Sequence, residues 1–266
     1  MKASTQEPGS GIMLSIATLI TILATLSVNI LSNFFPPAGL NIGEIANTIL
    51  QGVLITPANY AFAIWGVIYL GLIAYGFYQL RPTVRVNPTV RRVDSLLILA
   101  CLAQIAWVYL FTLRLFWLSV VAMLVILLSL IGAYLQLNTG TGQVSRQRRW
   151  MAQIPFSVYL GWISVATIVN IASALYISGW SGWGISAAGW TVVMLVVGAV
   201  IGAFVIQRAD VAFTLVFIWA YVAIAMRQLD NPAIWITAVV AAIVLAVMLV
   251  FGRRRHKSPN STHLSE

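Results

Sequence analysis

The sequence predicts an all-α integral membrane protein, a polytopic helical bundle of about eight transmembrane helices. The first observation is composition: 61% of the 266 residues are apolar and only 8% are charged, against about 25% charged residues in soluble domains. The second is a series of eight apolar runs, most of them close to the roughly 20 residues that span a bilayer. The third is the unequal distribution of Lys and Arg between the connecting loops.

The eight runs can be placed along the chain by hydropathy. The first is too long for a signal-peptide core of about 7–15 residues and ends in SNFFPPAG, so we predict a retained transmembrane helix. The seventh, VAFTLVFIWAYVAIAM, is the shortest. None of the runs contains Asp, Glu, Lys, Arg or His; they cover residues 12–33, 58–80, 95–113, 115–137, 151–177, 187–206, 211–226 and 232–251.

The loop charges predict the orientation of the chain. With eight spans, one side of the membrane receives 13 basic residues and the other receives only Arg114 and Arg227. Because cytoplasmic loops are enriched in Lys and Arg, both termini are predicted to be cytoplasmic, in a cell (inner) membrane. The same clustering argues against nucleic acid as the partner of the +9 net charge. The 13 residues are Lys2, Arg81, Arg85, Arg91, Arg92, Arg146, Arg148, Arg149, Arg208, Arg253, Arg254, Arg255 and Lys257.

Three segments between or after the runs carry further predictions. IGEIANTILQGVL, in the loop before the second run, places apolar residues on one helical stripe. This stripe fits either a short helix over the mouth of the bundle or a helix at the lipid interface. TLRLF, around Arg114, predicts a tight turn between antiparallel helices, and the basic, polar tail 253–266 is predicted to be cytoplasmic and disordered at its end, SPNSTHLSE.

Conventional catalytic and metal-binding groups are missing from the predicted spans. Without intramembrane carboxylates, proton and ion relays lack their usual groups, and both histidines lie in the tail. Cys101 reads as a small core residue. We therefore predict no catalytic residues, no metal site and no required cofactor, and an enzyme is the least favoured class.

Aromatic and amide side chains form stripes on three of the runs. In the fifth run Trp162, Ala166 and Asn170 follow at four-residue spacing, and a buried amide needs a partner, so this face is predicted to point inward. Tryptophans near span ends, such as Trp180 and Trp183, read as interfacial anchors, as do Trp117 and Trp150. Trp65 and Trp107 lie deeper in their runs, and they fit either plain packing or an aromatic-lined pocket for a flat, largely apolar ligand. The inward stripes comprise Phe62, Trp65 and Tyr69; Gln104, Trp107 and Phe111; and Tyr159, Trp162, Ala166, Asn170 and Ser173.

These motifs resemble the translocator protein family, also called tryptophan-rich sensory protein or TspO/MBR. The most specific match is WISVATIVN, which agrees with the family's Trp-x-x-x-Ala-Thr-x-x-Asn in its fifth helix. PANYAFAIWGVIY is similar to the family's second helix, and QIAWVYLFTLR to its third, with Gln104 in place of Asn. Tyr176 has no basic partner after it, so the family's sterol motif is incomplete. The resemblance covers about residues 10–180.

The resemblance implies a fold and a ligand. The fold would be a five-helix core, residues 1–180; the additional three-helix region, 181–252, lies outside the resemblance. The ligand would be a tetrapyrrole such as porphyrin or haem, or a similar planar hydrophobe, bound by a sensor, carrier or scavenger beneath the long first loop. A transporter of another hydrophobic molecule is the alternative, and a homodimer is left open. The implied ligand-binding residues are Tyr60, Phe62, Trp65, Tyr69, Gln104, Trp107, Phe111, Tyr159, Trp162, Ala166 and Asn170.

Overall fold

The computed structural model describes residues 11–140, 144–208 and 210–256, and in this part of the chain the regular structure is entirely helical. The predicted disordered end of the tail lies outside the described residues. A 3₁₀ turn, Asn59–Ala63, leads into α3, and a π-helical turn, Arg149–Gln153, leads into α8. The helices are α1 Ile12–Phe34, α2 Ile42–Thr48, α3 Ile64–Gln79, α4 Pro82–Arg85, α5 Pro88–Thr112, α6 Phe116–Gln136, α7 Arg146–Arg148, α8 Ile154–Ile177, α9 Ala187–Ile206, α10 Val211–Arg227 and α11 Pro232–His256.

Seven of these helices are long and apolar enough to cross a membrane, which confirms an all-α polytopic membrane protein. The eighth predicted span, α10, has 17 residues and measures about 25 Å, slightly less than a typical hydrocarbon core. The count of eight therefore stays a prediction. The position of α10 is nevertheless informative: its first residue follows Asp210, which contacts Ser157 at the start of α8, and its last residue, Arg227, contacts the loop before α3. The helix thus runs from one end of the bundle to the other.

The bundle has two packed groups joined by α8 and α10. Helices α1, α3, α5, α6 and α8 form one group, in which α5 and α6 are an antiparallel pair joined at Arg114, whose φ of 63° makes the tight turn. Helices α9, α10 and α11 form the other group, and α10 packs it onto α8. Gly161 allows this contact, because a Cβ there would lie 3.1 Å from the Cβ of Val216.

The start of α5 corrects one prediction. The apolar run begins at residue 95, but the helix begins at Pro88, capped by the side chain of Asn87, which accepts from the Thr89 amide. Proline at the first helical position is favourable because its missing N–H has no helical partner there. Asp94 therefore lies inside the helix, fully buried, where it accepts a 2.6 Å hydrogen bond from the Tyr75 hydroxyl. The expectation that no span contains a carboxylate is wrong at this residue.

Candidate functional site: an aromatic chamber beneath a fastened lid

The inward stripes of three helices meet in one small space. We call it the aromatic chamber. It lies where α3, α5 and α8 converge, and a segment from the first loop covers it. Its walls carry no charged side chain in the described part of the chain. The bundle supplies Phe62, Trp65, Trp107, Phe111, Trp162, Val165, Ala166, Val169, Asn170 and Ser173, and the loop supplies Ile42, Ala46, Leu50, Thr56 and Pro57.

The rings of the chamber contact one another in edge-to-face and tilted geometries. The centroids of Phe62 and Trp162 are 5.9 Å apart at an interplanar angle of 84°, which links α8 to the turn before α3. Those of Trp107 and Phe111, one turn apart on α5, are 5.2 Å apart at 30°. Aromatic pairs favour such arrangements because the edge of one ring is positive and the face of the other negative. The rings therefore hold one another in place.

A buried amide fixes the floor of the chamber. The indole Nε1 of Trp107 donates to Oδ1 of Asn170 at 2.5 Å, and Nδ2 of Asn170 donates to the Ser119 hydroxyl at 2.9 Å. Asn170 is 2% exposed, so these bonds satisfy a group that would otherwise be costly to bury. The network ties α5, α6 and α8 together and sets the orientation of one chamber ring.

The chamber contains seven of the eleven sequence-predicted residues: Phe62, Trp65, Trp107, Phe111, Trp162, Ala166 and Asn170. Tyr69, Gln104 and Tyr159 are buried one layer behind it, where Trp65 stacks on Tyr69 at 5.6 Å and meets Tyr159 at 6.1 Å. Tyr60 lies elsewhere. It is 42% exposed and packs edge-on against Trp219 of α10, at 5.2 Å.

A fully buried hydroxyl in the chamber wall has no partner. The hydroxyl of Thr56 is buried and makes no hydrogen bond in the described structure, although the side chain lines the chamber. Buried polar groups are normally paired, so an unpaired one facing a cavity marks a place for a ligand atom or a water molecule. Sequence reasoning missed Thr56, because a single threonine in a loop carries no pattern.

The free space inside the chamber is small in this structure. Its free volume is about 60 Å³, whereas pockets for small molecules usually enclose about 300–1,000 Å³. A flat polycyclic ligand therefore requires the walls to move apart. The loop segment 42–57, which we call the lid, is the part of the wall that does not belong to a membrane-spanning helix.

Local sequence shapes the lid into a short helix followed by turns. Asn41 and Glu44 form a capping box around the start of α2: Oδ1 of Asn41 accepts from the Glu44 amide at 2.9 Å, and Oε2 of Glu44 accepts from the Asn41 amide at 2.7 Å. Ile45 and Val53, two residues of the predicted apolar stripe, are buried. The structure thus places the stripe over the mouth of the bundle rather than out in the lipid.

The end of α10 fastens the lid from the outside. The Arg227 guanidinium donates to Oδ1 of Asn47 at 2.9 Å and, over longer distances, to the carbonyl oxygens of Pro57 at 3.4 Å and Ala46 at 3.3 Å. Gln228 donates from Nε2 to the Leu54 carbonyl at 2.8 Å. We call Arg227 and Gln228 the latch, because they join both α2 and the turns that follow it to the end of α10, about 180 residues away.

Two further contacts join α10 to the segment between the lid and α3. The amide of Ala58 donates to the Ala223 carbonyl at 3.1 Å, and Nε1 of Trp219 donates to the Ala61 carbonyl at 3.2 Å. These bonds join α10 to the start of the 3₁₀ turn that leads into α3. The helix α10 therefore holds the residues that directly follow the lid as well as the lid itself.

Comparison with known proteins identifies the family. A family model described as TSPO-like protein matches residues 15–251, so the chain belongs to this family. The match includes α9, α10 and α11, and thus reaches beyond residues 10–180, where the sequence motifs showed the resemblance. No curated protein and no solved structure matches the chain.

Proposed function

We propose that this multi-pass membrane protein of the TSPO-like family binds a flat, largely apolar molecule in the aromatic chamber, and that tetrapyrroles such as porphyrin or haem are its ligand class. The observation that carries the proposal is the convergence of four aromatic rings and one satisfied amide, from α3, α5 and α8, beneath a separate lid. The tetrapyrrole class is what the sequence resemblance implies. The ligand would be sensed, carried or scavenged.

The chamber side chains suit binding through ring faces. Trp65, Trp107 and Trp162 would stack on or edge against a planar ligand, and Asn170 would keep the Trp107 ring in place. Among the described residues the lining contains no His, Cys or Met, so a haem would be held through its ring system rather than by ligation of its iron by these residues. The Thr56 hydroxyl is available for one hydrogen bond to a polar edge of the ligand.

Binding requires the lid to open, because about 60 Å³ cannot hold the ligand. Loop opening over a ligand site is a common gating step on the microsecond to millisecond scale. The latch of α10 would set how often the lid opens. This gives the C-terminal helices a part in binding.

Transport of a hydrophobic molecule is a second candidate, favoured by the position of another cavity. A space of about 1,000 Å³ lies at the opposite end of α8, lined by Gln153, Ser157 and Asp210 among others. Cavities near both ends of α8 would give a ligand two binding positions along one helix. Net flux of protoporphyrin into vesicles that contain the protein would favour transport, and saturable binding without flux favours a sensor or scavenger.

The direct test fills the chamber without adding charge. In Ala166→Phe the new ring occupies the space between Trp162 and Asn170, so we expect quenching of tryptophan fluorescence by protoporphyrin to be lost while thermal unfolding is retained. Ala106→Phe is the matched control, because it adds the same volume on the exposed face of α5. Unchanged binding by Ala166→Phe would show that the ligand does not enter the chamber.

A further inference from the structure

A large cavity lies at the end of α8 that is farther from the lid. We call it the basal cavity. It has a free volume of about 1,000 Å³ and is bounded by the residues that follow α6, by the turns that lead into α8 and by the start of α10. Arg149 and Trp150 line it as exposed residues, and Ser157 and Asp210 line it as buried ones. The cavity therefore reaches from the surface into the bundle, and its volume is at the upper end of the range for small-molecule sites.

The basal cavity receives two positive charges that have no partner. Arg146 and Arg149 line it, and their guanidinium groups make no hydrogen bond or ion pair with a residue in the described ranges. The neighbouring arginines are engaged elsewhere. The guanidinium of Arg148 donates to a backbone carbonyl at 3.3 Å, and that of Arg208 lies 6.0 Å from the centroid of a tyrosine ring. The two cations that line the cavity are thus the ones available to an anion.

A buried hydroxyl in the same wall also lacks a partner. Thr139 lines the basal cavity and is 5% exposed, and its Oγ1 makes no hydrogen bond in the described structure. The other buried polar side chain near it is satisfied, because Nε2 of Gln153 donates to the Leu137 carbonyl at 3.1 Å. Buried polar groups are normally paired. The Thr139 hydroxyl is therefore a second sign, independent of the arginines, that a polar ligand atom belongs in this cavity.

The acidic residue of the wall already has its partners. Oδ2 of Asp210 accepts from the Ser157 hydroxyl at 2.6 Å, and Oδ1 accepts from the Phe213 amide at 3.2 Å, as the N-cap of α10. A carboxylate is favourable at this end of a helix because the helix dipole is positive there. Asp210 thus caps α10, and both of its oxygens are occupied by protein donors.

The wall of the basal cavity changes from basic to apolar. Ile154 of α8 and Leu215 of α10 belong to the lining, and Leu215 is 51% exposed. Trp150, beside the arginines, is 58% exposed, and tryptophan is enriched where head groups meet hydrocarbon. A soluble anion would use only the basic part of this wall. A phospholipid would use both parts, since its phosphate meets the arginines and its acyl chains meet the apolar side chains.

We propose that the basal cavity binds an anionic phospholipid, whose phosphate oxygens accept from Arg146, Arg149 and the Thr139 hydroxyl. Basic pockets between transmembrane helices on the cytoplasmic side are suited to anionic head groups, and the loop charges predict that this end of the bundle is cytoplasmic. The inference stands on the basal cavity alone and does not need the aromatic chamber to bind anything.

The experiment counts bound lipids by native mass spectrometry of the full chain released from detergent micelles. The micelles contain phosphatidylglycerol and phosphatidylcholine in equal amounts. Both lipids carry a phosphate, but the arginines repel the ammonium group of choline. We expect one phosphatidylglycerol per chain to be retained in preference to phosphatidylcholine. The double variant Arg146→Gln with Arg149→Gln should weaken this retention by about tenfold or more, because it removes charge-assisted hydrogen bonds.

The matched control is the double variant Arg81→Gln with Arg92→Gln. It removes the same charge from two exposed arginines that are predicted on the same side of the membrane but lie outside the cavity, so it should retain the lipid as the wild type does. A further variant, Thr139→Val, keeps the shape of the side chain and removes the hydroxyl. It should weaken retention by about tenfold, while thermal unfolding of the lipid-free protein shows no loss of stability.

Competition identifies the source of the phosphate. sn-Glycerol 3-phosphate has the same phosphate chemistry without acyl chains, and it should not displace phosphatidylglycerol. Displacement by this compound would mean that the cavity takes a soluble phosphate, and displacement by protoporphyrin would make it a binding position of the transport candidate. Either result would overturn the proposal, as would equal retention of the two lipids, weaker retention by the control variant, or unchanged retention by Thr139→Val or by the Arg146 and Arg149 double variant.

Discussion

Removing the Arg227 half of the latch should make the aromatic chamber easier to enter. The change is Arg227→Met, which preserves side-chain length and removes the charge and the donors. Only the 2.9 Å bond to Asn47 has good geometry, since the bonds to Pro57 and Ala46 are 3.4 and 3.3 Å long. Hydrogen bonds to charged groups contribute about 1.5–3 kcal/mol. Because Arg227 is partly exposed, we use about 2 kcal/mol for the whole contact.

This energy translates into a rate. We assume that the ligand enters only when the lid is open. Lowering the free energy of lid opening by about 2 kcal/mol then raises the open population by about 30-fold, because 1.4 kcal/mol corresponds to tenfold. The association rate of protoporphyrin, measured by stopped-flow quenching in nanodiscs, should rise by the same factor. Hydrogen exchange of the lid amides, measured without ligand, should accelerate in parallel. The association rate of Arg227→Lys should lie between those of the wild type and Arg227→Met, because an ammonium group keeps the charge but cannot reproduce the forked donors of a guanidinium group.

The matched control is Arg114→Met. Arg114 is the other basic residue at this end of the bundle, is exposed, and makes no hydrogen bond to the lid in the described structure. Arg114→Met should leave both the association rate of protoporphyrin and the hydrogen exchange of the lid amides unchanged. A double-mutant cycle with Asn47→Ala tests the pair itself, since the two changes should be less than additive. The association rate in Arg227→Met could instead stay the same or fall while Arg114→Met behaves as wild type. That result would refute the proposal that Arg227 holds the lid in place.

Three further predictions concern the chamber and the topology. Trp65→Leu or Trp107→Leu should weaken protoporphyrin binding about 5- to 150-fold in fluorescence titrations, because one ring contact contributes about 1–3 kcal/mol by analogy with base stacking. If both variants bind as the wild type does, these two rings only pack within the protein. Asn170→Leu leaves the buried Trp107 N–H without its partner, while the Ser119 hydroxyl still donates to the Phe116 carbonyl. Thermal unfolding in detergent should therefore report a loss of about 1–3 kcal/mol as well as weaker binding; full stability would mean that the amide network does not stabilise the fold. Reporter fusions after residues 45, 90, 140, 182, 209, 229 and 260 should read out, in, in, out, in, out and in; a cytoplasmic signal at 229 would remove α10 from the spans.

Hydropathy was sufficient to predict an all-α polytopic fold, but it does not locate helix ends. An apolar run reports where a helix meets lipid, and the polar first turns of a helix lie outside that signal. The start of α5 depends on Asn87 and Pro88, which are local capping signals. Asp94 was therefore placed in a loop by hydropathy, although it lies buried in α5 against Tyr75.

The site was predictable where it depends on periodicity within one helix. Four-residue spacing placed Trp162, Ala166 and Asn170 on one face of α8, and all three line the chamber. Spacing cannot show what lies across from a residue in another helix. Tyr60 fits the motif of its family but contacts Trp219, and the bond from Arg227 to Asn47 joins residues 180 positions apart. Such contacts depend on how the helices are arranged, which no local pattern encodes.

From the position of α10 we propose a physical role for the three C-terminal helices. This helix packs on α8 through Gly161 and carries the latch at its end, but a 17-residue helix alone could tilt or slide. Helices α9 and α11 pack against it, and the Tyr221 hydroxyl donates to the Leu195 carbonyl at 2.7 Å, where a Cβ on the nearby Gly198 would meet that same hydroxyl at 2.6 Å. The close fit fixes the height of α10 relative to α9. Because the latch reaches the lid over bonds of about 3 Å, we expect a small shift of α10 to break them. We therefore expect α9 and α11 to influence the chamber, although neither helix contributes a described side chain to its wall.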